Sequence, residues 1–239
     1  MMMCSCPTII NASHTEHKMQ MEQSYNPLPE PTDMMPATWD RKLARIISDV
    51  ISPPVLTILG ALFFAMAIDT RSSWIWTGLY VFVVMCIPTL YIIWLVKHGL
   101  VTDFHLRVRE QRLKPNLMIA GCAITGWLLL LVGSAPYPLT VLAGIGVIQT
   151  SLLLLITTKW KISGHSMGIA SFAILIWSLY GAVAFPVLFT IPLVVWARLR
   201  LKRHTLLQTV AGALMGTGFM AFILYLISNH CGTIGQICG

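Results

Sequence analysis

Carboxylate side chains are scarce in this chain of 239 residues. Only nine Asp and Glu are present, four of them lie before residue 38, and none follows Glu110. A di-metal carboxylate site or a paired-carboxylate acid–base site needs several converging acids, so the sequence disfavours both kinds of site. We therefore expect a protein that works with neither a metal nor another cofactor.

Charged residues of either sign are also few. They make up 10% of the chain, whereas soluble domains contain roughly 25%. Hydrophobic residues make up 56% of the chain, and the mean hydropathy is +0.75. This composition excludes an ordinary soluble enzyme and a disordered regulator, and it indicates an integral membrane protein.

Apolar segments of membrane-spanning length fill the chain after residue 45, since each helical span takes about 20 apolar residues. They lie at about 47–68, 74–96, 117–135, 139–158, 166–181, 183–197 and 206–228. Residues 166–197 form either two short helices or one broken hairpin, because Pro186 and Pro192 interrupt them. Gly212-x3-Gly216 is typical of close helix packing. The sequence predicts an all-α fold, a polytopic membrane bundle of six or seven transmembrane helices.

The N-terminal region differs from this apolar domain. Residues 1–38 are polar, rich in Pro and Met, and without an apolar period, which predicts a disordered tail before a membrane domain at 39–239. Among the six cysteines, Cys231 and Cys238 could close a small loop if they face an oxidising compartment. That pairing stays open from the sequence.

Basic residues are concentrated on one predicted side of the membrane. Fourteen of the sixteen Lys and Arg lie just before the first span or in the loops after spans two, four and six. The positive-inside rule therefore places the N-terminus and these loops in the cytosol. The net charge of +7 suits an anionic substrate or anionic lipid, and the hydropathy argues against nucleic acid.

Three polar segments on this side carry residue types suited to phosphoryl transfer. They read Arg107-x-Arg109-x2-Arg112-x-Lys114-Pro115, Lys161-x-Ser163-Gly164-His165 and Arg198-x5-His204-x3-Gln208. The second segment opens the fifth span, so its backbone amides are expected to point from a helix start towards an anion. Histidine serves as nucleophile or proton donor near neutral pH, and Arg or Lys neutralises a phosphoryl transition state. Together these parts suit metal-free phosphoryl transfer.

In this order the segments resemble the signature of the type 2 phosphatidic acid phosphatase superfamily, whose fold is shared with vanadium haloperoxidases. That signature runs Lys-x6-Arg-Pro, then Pro-Ser-Gly-His, then Ser-Arg-x5-His-x3-Asp. The chain reads Arg107-x6-Lys114-Pro115, Ile162-Ser163-Gly164-His165 and Ala197-Arg198-x5-His204-x3-Gln208. It thus exchanges the two bases in type, lacks the second proline and has Gln at the acid's place. The resemblance spans roughly residues 97–216.

The resemblance implies a metal-independent phosphatase with a phosphohistidine intermediate. His204 is then the nucleophile, His165 protonates the leaving alcohol and later helps to activate water, and Gln208 orients His204 through its side-chain oxygen. The implied ligands of the phosphate oxygens are Arg107, Lys114, Arg198, Ser163 and the amide of Gly164, with Arg109 and Arg112 equally able to reach a phosphate.

The implied substrate is a lipid phosphate or diphosphate, such as an isoprenyl phosphate or phosphatidate, that enters from the bilayer. Because Gln208 supplies no negative charge, a weakly active or inactive pseudo-phosphatase that binds anionic lipid is the alternative. A small transporter is a further alternative, which is disfavoured because no basic residue lies inside a predicted span.

Overall fold

The computed structural model describes residues 38–100 and 113–231, and these ranges contain helices, turns and bends but no strands. The helices are α1 Trp39–Val50, α2 Pro53–Ile68, α3 Arg71–Lys97, α4 Leu113–Val132, α5 Tyr137–Thr157, α6 Gly164–Tyr180, α7 Thr190–Arg200 and α8 Leu206–Cys231. The all-α prediction is confirmed. The predicted tail up to residue 37, most of the first polar segment, and Cys238 lie outside the described residues.

Five helical stretches of the described chain are long and apolar enough to cross a membrane, and the bent pair α1–α2 would be a sixth. These stretches indicate a multi-pass membrane protein. One of them, Gly164–Arg200, folds back on itself, because Ile169 of α6 and Val194 of α7 pack in one cluster with Leu56 of α2. Two short helices therefore replace a single long span in this stretch.

The turn between α6 and α7 is a 3₁₀ segment, Gly181–Phe189. Helix α6 ends where Gly181 takes φ +63°, a conformation that costs a glycine little because it has no Cβ. Pro186 lies inside the 3₁₀ segment and Pro192 lies in the first turn of α7. The prolines thus follow the break in the helix, and Gly181 marks its position.

The first predicted span began at residue 47, whereas residues 47–50 belong to α1 and α2 begins at Pro53. Pro53 and Pro54 have no backbone N–H to continue α1, and a proline pushes the preceding residue out of the helical region. The axes of α1 and α2 consequently differ by 49°.

Helix α1 carries different residue types on its different faces. Ala44 and Ser48 are fully buried, and Ala44 packs with Ala197 and Leu201 at the end of α7. The Arg200 guanidinium also forms an ion pair with Asp40, so α1 is fixed to α7. Exposed apolar side chains occupy another face of α1: Trp39, Leu43, Ile46 and Val50.

Helices α6 and α8 are in backbone contact through two glycines. A Cβ on Gly212 would lie 2.5 Å from the carbonyl oxygen of Ser163, and a Cβ on Gly216 would lie 2.2 Å from that of Met167. Ser171 adds a hydrogen bond from its hydroxyl to the Gly216 carbonyl, at 3.2 Å. The predicted role of Gly212-x3-Gly216 in close packing is confirmed, and it fixes the start of α8 against the start of α6.

Candidate active site

Three parts of the chain meet at one end of the bundle: the start of α6, the end of α7 and the turn that precedes α8. His165 lies close enough to Arg198, Arg203 and His204 to interact with them electrostatically. The second and third polar segments, which the sequence separates by more than thirty residues, are thus brought together. The hairpin of α6 and α7 causes this, because it returns the chain to the end where α6 began.

The start of α6 is closed by a serine cap. Ser163 is fully buried, and its Oγ accepts hydrogen bonds from the Ser166 amide at 3.3 Å and the Ser166 hydroxyl at 3.0 Å. Its own amide donates to the Gln208 carbonyl at 3.2 Å. The amides of Gly164 and His165, in the first turn, have no intrahelical carbonyl to bond. The positive end of the α6 dipole therefore lies beside the two histidines.

Arg198 is buried although it is a cation; 6% of its surface is exposed. Its Nη1 donates to the Oγ of Ser48, on α1, at 2.8 Å, and the carboxylate of Asp49 interacts with it electrostatically. Its Nε is buried and has no hydrogen-bond partner among the described residues. A buried guanidinium with an unsatisfied donor is a favourable place for an anion, because an unpaired buried polar group costs free energy.

His204 lies in the turn between α7 and α8, outside the apolar spans. Burial lowers its pKa from 6.5 to about 4, and the positive charges of Arg198 and Lys161 act in the same direction. The Lys161 carbonyl and the Gln208 side chain, which contact the ring, offset part of this effect. At neutral pH the imidazole of His204 is therefore uncharged, which is the form that acts as a nucleophile.

Gln208 takes part in the cap of α8. Its Oε1 accepts a hydrogen bond from the backbone amide of Thr205 at 3.1 Å, and the backbone amide of Gln208 donates to the Thr205 hydroxyl at 3.4 Å. This reciprocal pair is a capping box. Gln208 lies beside His204, yet Nδ1 of His204 is buried and makes no hydrogen bond to any described residue. In this structure the oxygen of Gln208 thus serves the helix cap.

The first polar segment is only partly visible. Arg107, Arg109 and Arg112 lie outside the described residues, and Lys114 is described by its backbone alone, in the first turn of α4. Their position relative to the histidines stays a prediction.

Three residues contribute to the site although the sequence analysis assigned them no role in it. Ser48 contacts Arg198, and its backbone oxygen accepts a hydrogen bond from the His165 ring. Arg203 and Lys161 add positive charge that acts on the histidines. Arg203 directly precedes His204, and Lys161 opens the second polar segment, so adjacency was a usable signal for both. Nothing in the local sequence distinguishes Ser48.

The assembled groups are two imidazoles, a buried guanidinium, further cations and a helix start. Within residues 38–100 and 113–231, no three His, Cys, Asp or Glu side chains are grouped to hold a metal ion. Such an arrangement can bind a phosphate, supply a nitrogen nucleophile and move a proton.

A family model described as the PAP2 superfamily matches residues 110–231, slightly more than half of the chain. The matched stretch contains Arg112 and Lys114, the Ser163–His165 motif and the whole third segment, whereas Arg107 and Arg109 precede it. Comparison with curated proteins and with solved structures gives no match.

Proposed function

The chain belongs to the PAP2 superfamily, and we propose that it is a membrane phosphatase that hydrolyses a lipid phosphate or diphosphate without a metal. Members of the superfamily are phosphatases in general, which supports the reaction class. Several helices are apolar enough to span a membrane, which supports a substrate that shares the bilayer. An isoprenyl phosphate and a phosphatidate both fit, since each joins a phosphate to apolar chains.

The proposal rests on one observation, the convergence of His165, Arg198 and His204 at one end of the bundle. Phosphoryl transfer needs a nucleophile, a proton donor to the leaving oxygen and positive charge around the phosphate. A pKa of about 4 keeps His204 neutral and nucleophilic at pH 7. Arg198 brings a fixed charge and a buried donor, Nε, that has no partner among the described residues.

In the proposed reaction a ring nitrogen of His204 attacks the phosphorus. The nitrogen–phosphorus bond forms as the bond from phosphorus to the lipid oxygen breaks, and His165 gives that oxygen a proton. Water then attacks the phosphohistidine and passes its proton to His165, and the nitrogen–phosphorus bond breaks to release phosphate. Both histidines return to their starting protonation states, so the cycle consumes only lipid phosphate and water.

The phosphate oxygens are held, in this proposal, by Arg198 and by the first-turn amides of α6, to which Gly164 belongs. Ser163 contributes by capping that helix, since its hydroxyl is buried and already accepts two hydrogen bonds. The remaining charge comes from the first polar segment, with Lys114 and Arg112 inside the family match and Arg107 and Arg109 before it.

Gln208 orients His204 in this proposal while it caps α8. A carbonyl oxygen has two lone pairs, so Oε1 can accept from the Thr205 amide and from Nδ1–H of His204 together. The first of these bonds is present, and Nδ1 of His204, which has no partner in the part of the chain that the structure describes, is the donor for the second. Gln208 supplies no charge to the imidazolium-like intermediate, which predicts a slower enzyme than one with an acid at this place.

Trapping the phosphoenzyme tests this function. Detergent-purified protein is mixed with phosphatidate that is radiolabelled at its phosphate, quenched in alkali within milliseconds, digested and mapped by mass spectrometry. We expect label on His204 that survives alkali and is lost in acid, as expected for a nitrogen–phosphorus bond. Label on Ser163, or turnover of His204→Ala at the parent rate, would contradict the mechanism.

One observation favours a second function, a pseudo-phosphatase that binds anionic lipid. The place of an acid is taken by Gln208, whose oxygen lies in a helix cap, and Nδ1 of His204 has no partner among the described residues. This function predicts phosphate or vanadate binding without turnover in the parent protein, and turnover gained only in Gln208→Asp.

A further inference from the structure

Ser48 lies outside the stretch that the PAP2 model matches, yet it contacts two of the three converging residues. Its hydroxyl accepts from Nη1 of Arg198 at 2.8 Å, and its backbone oxygen accepts a hydrogen bond from the ring of His165. Its own surface is 0% exposed. One residue of α1 therefore joins the end of α7 to the start of α6.

The rest of α1 holds Ser48 in this place. Ala44, one turn earlier on the same face, is fully buried against Ala197 and Leu201. Asp40, one further turn earlier, pairs with Arg200. Both contacts are made to α7, the helix that carries Arg198, so α1 and Arg198 form one packed unit.

The bond to Ser48 also decides which side of the guanidinium is free. A guanidinium binds a phosphate best through two parallel N–H donors, and the edge made by Nε and Nη2 is one such fork. Ser48 occupies Nη1 at the other end of the group. Nε is buried and has no partner among the described residues, which leaves the Nε–Nη2 edge for an anion.

We propose that Ser48 is a positioning residue of the phosphate site, which orients Arg198 through its hydroxyl and His165 through its carbonyl. This inference rests on the proposed function of that site. The Ser48 hydroxyl acts through Arg198 and touches no reacting atom. Its removal frees the guanidinium to turn away from the phosphate, which weakens phosphate binding and slows the reaction.

Ser48→Ala is the test variant, because it removes the hydroxyl and leaves the carbonyl to His165. Ser73→Ala is the matched control: Ser73 is also a fully buried serine, and it belongs to the capping box at the start of α3, to which no residue of the site belongs. Ser48→Thr restores a hydroxyl. Each variant is purified in detergent and measured for melting temperature, for its melting shift at increasing orthovanadate, and for kcat and KM on phosphatidate.

We expect Ser48→Ala to bind orthovanadate about tenfold more weakly and to lose roughly 10- to 100-fold in kcat/KM, in the range of other orienting partners. Ser73→Ala should melt earlier with unchanged vanadate binding and kcat/KM, and Ser48→Thr should recover part of the Ser48→Ala loss. If the parent binds vanadate, Ser48→Ala weakens that binding and neither protein hydrolyses phosphatidate, the inference stands and the catalytic function fails.

Two results overturn the inference alone. In the first, the parent hydrolyses phosphatidate and Ser48→Ala matches it in vanadate binding and kcat/KM, so that the function stands without Ser48. In the second, Ser73→Ala loses as much vanadate affinity as Ser48→Ala, which reduces the effect of Ser48 to general stability. A parent protein that shows no vanadate-dependent shift overturns both this inference and the proposed phosphate site.

Discussion

The contact between α8 and α6 at Gly212 gives a prediction whose size follows from the structure. A Cβ at Gly212 would lie 2.5 Å from the Ser163 carbonyl oxygen, and Cβ atoms essentially never approach another heavy atom closer than 3.0 Å. In Gly212→Ala the two helices must therefore part by at least 0.5 Å. The obstacle is backbone, so no side chain can rotate to relieve it.

This displacement acts directly on the catalytic geometry. Gly212 lies on α8 just after Gln208 and His204, and Ser163 caps α6, whose first turn contains His165. A misplacement of about 1 Å costs roughly 100-fold in rate, so a shift of half that size predicts a loss in kcat on the order of tenfold. Overpacking costs about 1–3 kcal/mol, and replacing a helical glycine by alanine returns about 1 kcal/mol, so the protein should still fold.

Gly218→Ala is the matched control, since it lies on the same helix with nothing within 4 Å of the added Cβ. Both variants are assayed for phosphate release from phosphatidate, and their folding is compared by circular dichroism and thermal melting. We expect a tenfold lower kcat for Gly212→Ala and an unchanged kcat for Gly218→Ala. A folded Gly212→Ala protein with the parent kcat would refute the link between helix spacing and catalysis.

Three further predictions concern the same end of the bundle. Gln208→Ala should lose 10- to 100-fold in kcat, whereas Gln208→Glu, which keeps the capping box with Thr205, should retain or raise kcat. Equal kcat values in the parent and both variants would mean that Gln208 does not orient His204. Because the pKa of His204 is lowered to about 4, the acid limb of kcat/KM should lie near pH 4 and should move up in Gln208→Glu; an acid limb at 6.5 in the parent would contradict a neutral, buried His204. Folding stability should decline as pH drops from 6.5 towards 4, since the unfolded chain takes up this proton first. If the site faces the cytosol, an impermeant thiol reagent should modify Lys159→Cys, in a cysteine-free background, only after cells are permeabilised. Labelling in intact cells would show that the site faces the opposite side of the membrane.

The helices were predictable because their signals are local. A run of about 20 apolar residues is sufficient to mark a span, and Gly212-x3-Gly216 marked a close helix contact that the structure contains. The boundary between α1 and α2 was also readable, since Pro53 and Pro54 prevent a helix from continuing through them. It was missed because apolar residues continue across it.

The pairing of His165 with His204 and Arg198 was predictable from topology: their segments begin or end helices at the same side of the membrane. The second role of Gln208 was also in the sequence, since Thr205-x-x-Gln208 has the capping-box pattern. Ser48 was not predictable, because a serine on an amphipathic helix carries no mark of its partner. The contacts of Ala44 and Asp40 with α7 place it against Arg198.

Phosphate release in the presence of a chelator tests the central claim most directly. Detergent-purified parent protein and His204→Ala are incubated with phosphatidate or an isoprenyl phosphate in excess EDTA, with and without orthovanadate, and free phosphate is measured with malachite green. Metal-free catalysis through His204 predicts steady release by the parent, inhibition by vanadate, and no release by His204→Ala. Release that stops with EDTA and returns with Mg²⁺, or that persists in His204→Ala, would contradict it.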